Sequence, residues 1–440
     1  MKNTPSTDTA HDFRRATRAA GVLSALMMLS VGCSHFPRPG TLLPRSGDEI
    51  MVCGKLYHTG TRVILWVDPH GYDAYRVEPR FSVPPAADAS ADADPPDATT
   101  AAAPAAAPTI APSATSGAAP ESPAAQSAST APASSGTSTA PATSTSPATR
   151  PAARARPAPR PPEGARYGSW RRHVPSAVME AVQKHGWSHE QLREHVDLFV
   201  LHYDVCGTSR QCFKVLHDIR GLSVQFMIDL DGTIYQTLDL KERAWHAGSA
   251  NDRSVGVEIA NIGAYPLRLD GSPANVRAEL DRITTPVALT DLRWRNIELP
   301  RTLDEWYDSD ALGRPFVVLP GWMKESGLRT PDFVARPARR SPIIGPMHGR
   351  LYAQYDFTDE QYHALARLTA TLNRVLPRIE LRFPRDDHGR VPPRELSADE
   401  LAAFSGVLGH YHLTKSKQDP GPAFDWERLD REARAAQRRW

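Results

Sequence analysis

The residues best placed to carry out chemistry are two histidines and an aspartate in the C-terminal part of the 440-residue chain. His202 lies near the end of an apolar run at 196–203, and His410 and Asp419 flank a short loop followed by a Pro-Gly-Pro sequence. Active sites of open α/β sheets commonly lie where strands end. Two imidazoles and a carboxylate with a fourth position open form a typical catalytic zinc pattern, which leaves room for a water of lowered pKa. Because the chain contains 16 histidines, spacing alone does not separate this hypothesis from chance.

The elements that must position these residues alternate between strands and helices, which predicts an α/β fold. We expect a central mixed β-sheet flanked by helices, with a zinc groove at the strand ends. Apolar runs bounded by turn residues predict strands at 196–203, 223–229, 233–238 and 254–260, with a hairpin turn at 230–232. Helices are predicted at 358–376, after a capping box that begins at Thr358, and at 424–439.

Between these elements, residues 264–341 show only weak periodicity. The stretch is too long for a plain loop in a compact domain, so we interpret it as an insertion. It follows the strand that carries Glu258, so it could act as a lid or a wall-contacting flap. A packed surface excursion is the alternative.

Four segments together resemble the signature segments of the type-2 N-acetylmuramoyl-L-alanine amidases, a family that shares its fold with the peptidoglycan recognition proteins. In chain order they are VLHY at 200–203, WHAG at 245–248, SVGVEI at 254–259 and KQDPGP at 417–422. The resemblance covers roughly residues 198–427, interrupted by the insertion. Each segment alone is a weak signal, and the combination is specific.

The resemblance implies that His202, His410 and Asp419 are zinc ligands. It also implies that Glu258 orients or deprotonates the zinc-bound water and that Lys417 stabilises the developing oxyanion. These roles suit amide hydrolysis, which needs a nucleophile, an oxyanion stabiliser and a proton for the leaving amine. Glu258 stands in an otherwise apolar strand, where a carboxylate is expensive to bury without a partner.

Three further residues near the predicted site take roles from the same resemblance. His246 lies in the family's Trp-His-x-Gly loop, where it could contact substrate or make a structural hydrogen bond. Cys206 and Cys212 resemble the paired cysteines of many peptidoglycan recognition proteins, and an oxidising compartment would allow them to form a disulfide. Cys206 could instead bind metal, but Asp419 fills the third ligand position better.

The N-terminus, residues 1–33, predicts export. Arg14, Arg15 and Arg18 precede an apolar run at 19–31. The run is too short for a span of about 20 residues and is typical of a secretory signal. It ends in SVGC, which resembles a bacterial lipobox with Cys33 as the lipidated residue. An ordinary cleaved signal and an uncleaved anchor are the alternatives, and the expected location is the outer membrane, facing the periplasm.

Between the signal and the main domain, the sequence predicts two regions. In a small β region at 41–83, runs at 49–57 and 62–67 predict a hairpin that could pack on the main domain. Residues 84–165 are nearly all Ala, Pro, Ser and Thr, which predicts a long disordered linker before the amidase domain at 166–440. A lipid anchor followed by such a tether would let the enzyme work at a distance from its membrane.

The net charge of +2 provides no global basic field, so nucleic acid is not an expected partner. We predict zinc-dependent hydrolysis of the amide between N-acetylmuramic acid and L-alanine, with peptidoglycan or muropeptides as substrate and the membrane as a further partner. A non-catalytic peptidoglycan-binding module is the first alternative, although such proteins typically lack a zinc ligand. A zinc peptidase that cuts within the stem peptide is the second. The sequence does not determine the oligomeric state.

Overall fold

The computed structural model describes residues 44–77, 171–267, 274–292 and 297–438. Cys33, with the predicted signal, and the predicted linker at 84–165 lie outside these residues. In chain order the strands are β1 (Glu49–Val52), β2 (Lys55–His58), β3 (Val63–Leu65), β4 (Leu198–Tyr203), β5 (Phe226–Ile228), β6 (Ile234–Gln236), β7 (Ser254–Ile259), β8 (Tyr265–Pro266), β9 (Val287–Ala288), β10 (Tyr307–Ser309), β11 (Pro315–Val317), β12 (Ile343–Met347), β13 (Arg350–Gln354) and β14 (Gly406–Gly409).

Eight α-helices accompany these strands in the described residues. They are α1 (Ser176–His185), α2 (His189–His195), α3 (Ser209–Phe213), α4 (Ala274–Leu280), α5 (Arg301–Trp306), α6 (Asp359–Val375), α7 (Ala398–Ala402) and α8 (Trp426–Arg438). The predicted capping box at Thr358 is present, because the Thr358 side chain accepts from the Gln361 backbone and the Gln361 side chain accepts from Thr358. None of the helices in the described residues is long and apolar enough to span a membrane.

A six-stranded mixed sheet, in the order β14-β4-β7-β5-β6-β3, forms the centre of the fold. Only β5 and β6 are antiparallel neighbours, joined by the predicted turn at 230–232. The predicted α/β class is therefore confirmed. Gly232 in that turn has a φ of 76°, and a Cβ there would lie 2.6 Å from the Glu360 carbonyl oxygen, so a side chain would disturb both the turn and the start of α6.

Strands β4 and β7 lie in the middle of the sheet, and every residue of both is buried. Burial on both faces explains why their sequences are nearly continuous apolar runs. The parallel register between them places His202 opposite Glu258. The register of β14 on the other side places Gly409 opposite Leu201, so His410 follows its strand next to His202. The imidazole-bearing His202 and the carboxylate-bearing Glu258 therefore lie side by side at the carboxyl edge of the sheet.

The N-terminal strands pair differently from the sequence prediction. Strand β1 forms its hairpin with β2 through Cys53 and Gly54, whose φ angles of 49° and 75° suit a tight turn. The later strand, β3, pairs with β6 of the central sheet. The predicted pairing of 49–57 with 62–67 is therefore wrong, because the left-handed turn comes earlier and the strand after it finds a longer-range partner.

Residues before the predicted linker thus belong to the same sheet as residues after it. The side chain of Gln236 accepts from the Met51 backbone N–H at 2.7 Å and donates to the Met51 carbonyl at 2.8 Å. Four apolar side chains of this segment join the main core: Ile50, Val52, Val63 and Leu65. The described residues from Gly47 onward form one compact unit.

A second, four-stranded sheet has the order β8-β13-β12-β9. Its outer strands, β8 and β9, come from the predicted insertion at 264–341. The described parts of the insertion pack around Trp306, whose ring lies beside Gly207 at the start of α3. The insertion therefore contributes to the body of the domain close to His202.

Candidate metal centre

The three predicted zinc ligands meet at one point. Nδ1 of His202 lies 2.8 Å from Oδ2 of Asp419, and Nδ1 of His410 lies 3.0 Å from the same oxygen. In the described residues these three side chains form a buried group that could hold a metal ion, with ligand atoms all within 4.8 Å of one another. The structure thus brings together residues that are more than 200 positions apart in sequence.

Local geometry explains how the third ligand reaches the two histidines. The Tyr411 backbone N–H donates to the carbonyl of Asp419 at 3.1 Å, which closes the loop between His410 and Asp419. Gly409 permits the close approach, because a Cβ there would lie 2.5 Å from Cδ of Pro420. The side chain of His412 accepts from the Gly409 N–H through Nδ1 at 3.0 Å and so braces the same turn.

The donor set fits zinc. Two imidazole nitrogens and one carboxylate oxygen are common catalytic ligands for this ion, with metal–ligand distances of about 2.0–2.2 Å. Tetrahedral ligands at those distances are roughly 3.3 Å apart. The two observed separations, 2.8 and 3.0 Å from the histidine nitrogens to Oδ2 of Asp419, are a few tenths of an ångström shorter than this value.

The electrostatics of the group favour a cation. Burial, with a further contribution from His410, lowers the pKa of His202 to about 4, so its imidazole is neutral at neutral pH. Burial by itself would raise the pKa of Asp419, but the His410 charge and the hydrogen bonds from His202 and His410 hold that pKa well below its usual range. A neutral imidazole and an ionised carboxylate are the protonation states that metal ligands require.

Glu258 lies beside this group and is only 8 % exposed. Burial raises its pKa well above the usual range, and the negative charges of Asp419 and Asp204 add to the effect. Its Oε2 has no hydrogen-bond partner among the described residues. A buried carboxylate oxygen without a partner costs free energy, and such oxygens in native structures commonly have a functional or ligand-related explanation.

Lys417 lines the same cleft. Its positive charge lowers the pKa of both Glu258 and His202, so the ammonium group acts on both residues electrostatically. Its backbone carbonyl accepts a hydrogen bond from Nε2 of His348 at 2.8 Å, which fixes this part of the loop. His348, like His412, therefore holds the backbone of this loop through a hydrogen bond.

His246 does not belong to the group of three candidate ligands, but it contacts one of them, His202. Its Nδ1 lies 3.0 Å from Nε2 of His202, and the two rings meet edge to face at 83°. Its Nε2 lies 3.3 Å from Oγ of Ser254. The side chain lines the cleft and remains a candidate for substrate contact. Both of its ring nitrogens, however, face protein atoms.

Cys206 and Cys212 line the cleft on the side of α3. Both thiols are free in the structure, and contact with Cys206 is the main cause that raises the pKa of the Cys212 thiol, followed by burial. Their predicted disulfide remains a prediction. Cys206 is not among the three ligands that converge.

The cleft itself has a volume of about 370 Å³. Its lining includes residues between 212 and 222, on and after α3, together with 262–266 and Tyr352 of the second sheet. A larger depression of about 960 Å³ lies elsewhere, between Arg62, α6 and α8. Its Arg428 is paired with Asp359 and Glu432, and it contains none of the three ligands, so we place the chemistry in the smaller cleft.

Several residues that shape the site were not identified from the sequence. Asp204 uses Oδ1 to accept from the backbone N–H groups of Cys206, Gly207 and Asn261, which joins the loops after β4 and β7. Its position two residues after His202 is a signal that could have suggested this role. Arg171 is fully buried and donates to backbone carbonyls of the loop at 240–254, and nothing in its surrounding sequence indicates this.

Comparison with known proteins agrees with the resemblance seen in the sequence. Residues 192–293 match the family model described as N-acetylmuramoyl-L-alanine amidase, a segment that includes His202, His246 and Glu258. Among solved structures, the chain is similar to one titled "crystal structure of Se-Met AmpD derivative", with 18 % identity and a TM-score of 0.23, over 56 % of this chain and 86 % of that one. No curated protein matches the chain.

Proposed function

Because residues 192–293 match the N-acetylmuramoyl-L-alanine amidase family, we propose that this chain catalyses zinc-dependent hydrolysis of the amide between N-acetylmuramic acid and L-alanine in peptidoglycan. The observation that carries the proposal is the convergence of His202, His410 and Asp419 on one point next to the buried carboxylate of Glu258. The family match supports an amidase that acts on peptidoglycan, and the cleft supports the chemistry. The expected setting is remodelling or recycling of the cell wall.

The chemistry divides among the cleft residues. His202, His410 and Asp419 would hold the zinc ion, which when bound supplies a Lewis acid for the amide carbonyl and lowers the pKa of water. Glu258 accepts a proton from the attacking water and delivers it to the leaving amide nitrogen. Its raised pKa suits this exchange, because a catalytic acid–base group works best with a pKa near the working pH.

Lys417 contributes a fixed positive charge on the same side of the cleft. Because its ammonium acts electrostatically on both Glu258 and His202, we expect it to stabilise negative charge that develops on the carbonyl oxygen. It also lowers the pKa of Glu258, against the rise that burial causes. The cleft walls limit the water around these charges, so each interaction is stronger than it would be in bulk solvent.

The test is digestion of purified peptidoglycan by the full chain, with and without a chelator, followed by mass analysis of the products. We expect free stem peptides with an N-terminal L-alanine, their loss on chelation and their return with added zinc. Glu258→Gln should lower the rate by about 10²–10⁴-fold. Glu242→Gln is the matched control, because Glu242 is 9 % exposed, has a raised pKa and lies outside the cleft.

Two other results would redirect the assignment. Cleavage inside the stem peptide would mean a zinc peptidase in the same cleft. Binding to peptidoglycan without any release by the folded, zinc-loaded protein would refute the amidase and favour the binding module.

For location, we propose that Cys33 is lipidated and that the domain faces the periplasm from the outer membrane. Because β3 belongs to the central sheet, only residues 34–46 would separate the lipid from the folded domain. Those 13 residues reach at most about 45 Å when fully extended. The residues on either side of the Ala/Pro-rich segment, 44–77 and 171–267, both belong to the folded domain, so this segment would add nothing to the reach, unlike the tether expected from the sequence.

A protease site inserted between residues 84 and 162 tests this arrangement. Cleavage there should leave the amidase domain in the membrane fraction, because the two parts remain joined through the sheet. Cys33→Ala should release the whole chain from the membrane. Release of residues 171–440 by cleavage alone would restore the tether interpretation.

A further inference from the structure

The imidazole of His246 is held by protein atoms at both of its nitrogens. Nδ1 faces Nε2 of His202 at 3.0 Å, and Nε2 faces Oγ of Ser254 at 3.3 Å. The backbone also fixes the residue, because Oδ1 of Asn251 accepts from the N–H groups of His246 and Ala247 at 3.1 and 2.7 Å. The ring therefore has one defined orientation in front of His202.

Strand β7 provides the space for that ring. A Cβ at Gly256 would lie 2.5 Å from both Cε1 and Nδ1 of His246, which is well inside the contact limit. Gly256 is also pinned, because its N–H donates to Oε1 of Gln225 at 2.8 Å. The ring of His246 thus packs directly on the backbone of the strand that carries Glu258.

The loop that carries His246 has a rigid support. The guanidinium of Arg171 is 0 % exposed and donates to five backbone carbonyls of this loop, those of Leu240, Glu242, Asn251, Asp252 and Ser254, at 3.1–3.2 Å. Arg243, also buried, pairs with Asp252 at 2.6 Å. The two ends of the loop, at residues 240–242 and 251–254, are therefore both hydrogen-bonded to the guanidinium of Arg171. A shift of the loop that carries His246 would strain several of these hydrogen bonds.

The hydrogen-bond directions determine where the protons must lie. His202 presents Nδ1 to Asp419 and His410, so Nδ1 is its ligand atom and carries no proton when metal is bound. A neutral His202 then has its proton on Nε2 and donates it to Nδ1 of His246. His246 must carry its own proton on Nε2, where Oγ of Ser254 can accept it. One chain of hydrogen bonds thus fixes the tautomer of the ligand.

We propose that His246 is a positioning residue that orients His202 and fixes its tautomer for metal binding, rather than a residue whose main role is to contact substrate. The inference rests on the proposed function, since it assumes that the three ligands hold zinc. Partners of this kind typically change metal affinity by about 10–100-fold when they are removed. A residue that only contacts substrate would leave metal affinity unchanged.

The test is a competition titration of zinc between a chromophoric chelator and the full chain, with wild type, His246→Phe and His246→Gln. Phe keeps a ring of similar shape but has no acceptor, so we expect zinc affinity to fall by about 10–100-fold. Gln can place an amide oxygen toward Nε2 of His202, so it should recover most of that loss. His363→Phe is the control, because His363 is an exposed histidine on α6, outside the cleft, and its replacement should leave zinc affinity unchanged.

The possible outcomes distinguish failure of the positioning role of His246 from failure of the proposed amidase function. Wild-type zinc affinity in His246→Phe, together with a raised KM, would overturn the inference and restore the substrate-contact role while leaving the amidase proposal intact. The inference would also be rejected if His246→Gln bound zinc no better than His246→Phe, because the acceptor atom would then be irrelevant. Wild-type protein that binds no zinc would overturn the proposed function as well. Melting temperatures of the metal-free variants distinguish a local effect from unfolding.

Discussion

The sharpest prediction concerns the segment before the Ala/Pro-rich stretch, residues 44–77. A chain that begins at Arg166 keeps every candidate catalytic residue and the whole segment that matches the amidase family. It loses β1, β2 and β3, and with them the edge strand that covers β6. We expect this shortened chain to lack a stable fold and therefore to lack activity.

The magnitude follows from the side chains that the truncation removes. Ile50, Val52, Val63 and Leu65 are at most 2 % exposed and belong to the main core. Burial of one such side chain stabilises the fold by about 1.5–3 kcal/mol, so the four together contribute about 6–12 kcal/mol as an upper range. The free energy of unfolding of a typical domain is about 5–15 kcal/mol. The loss is therefore comparable to the entire stability.

The truncation also removes hydrogen bonds from buried polar groups. Asp239 loses the Cys53 and Gly54 N–H donors that it accepts at 2.7 and 2.8 Å. Gln236, fully buried, loses both of its contacts with the Met51 backbone. Exchange of such a hydrogen bond for one with water typically costs about 0.5–1.5 kcal/mol, which adds to the apolar loss.

The assay is thermal and denaturant unfolding followed by near-ultraviolet circular dichroism, on three proteins. They are the full chain, the chain from Arg166, and the full chain cut at a protease site between residues 84 and 162. The cut chain should elute as one complex with a melting temperature close to that of the intact chain, whereas the shortened chain should show no cooperative transition. Leu65→Ala tests the same contact more gently and should cost about 2–5 kcal/mol. A shortened chain that unfolds cooperatively at the melting temperature of the full chain would refute the reasoning.

Three further predictions follow from individual side chains. Burial raises the pKa of the Asp229 carboxyl to about 8 in the folded chain, against about 3.9 in an unfolded chain. The folded state therefore binds the proton more tightly, and the free energy of unfolding falls as pH rises between these two values. Asp229→Asn should flatten that pH dependence in unfolding titrations at pH 4–8. Lys417→Ala should lower kcat by about 10²–10³-fold with zinc affinity unchanged, as measured by peptide release and chelator competition, and a loss of zinc instead would contradict an electrostatic role. Gly256→Ala should weaken zinc binding, because its Cβ would displace the ring of His246, and unchanged affinity in the same titration would show that the ring has room to move.

Much of the central fold could be predicted because its signals are local. The apolar run that ends near His202 and the run that contains Glu258 became the two fully buried strands, since periodicity and burial are properties of a few adjacent residues. The turn at 230–232 and the capping box at Thr358 were predicted for the same reason. The three candidate metal ligands were identified by combining these strand ends with the family resemblance.

The tertiary structure alone decided how distant segments meet. Nothing near Val63 indicates that its strand pairs with β6 rather than with the preceding strand, because such a pairing depends on the register of residues about 170 positions away. The same holds for Arg171, whose five carbonyl partners come from one loop only after the chain has folded. For His246 the sequence provided a motif, but the relevant atom, Nδ1 facing a ligand, is a matter of side-chain orientation. Sequence patterns specify elements through local sterics and hydrophobicity, and only packing determines which polar atoms those elements bring into contact.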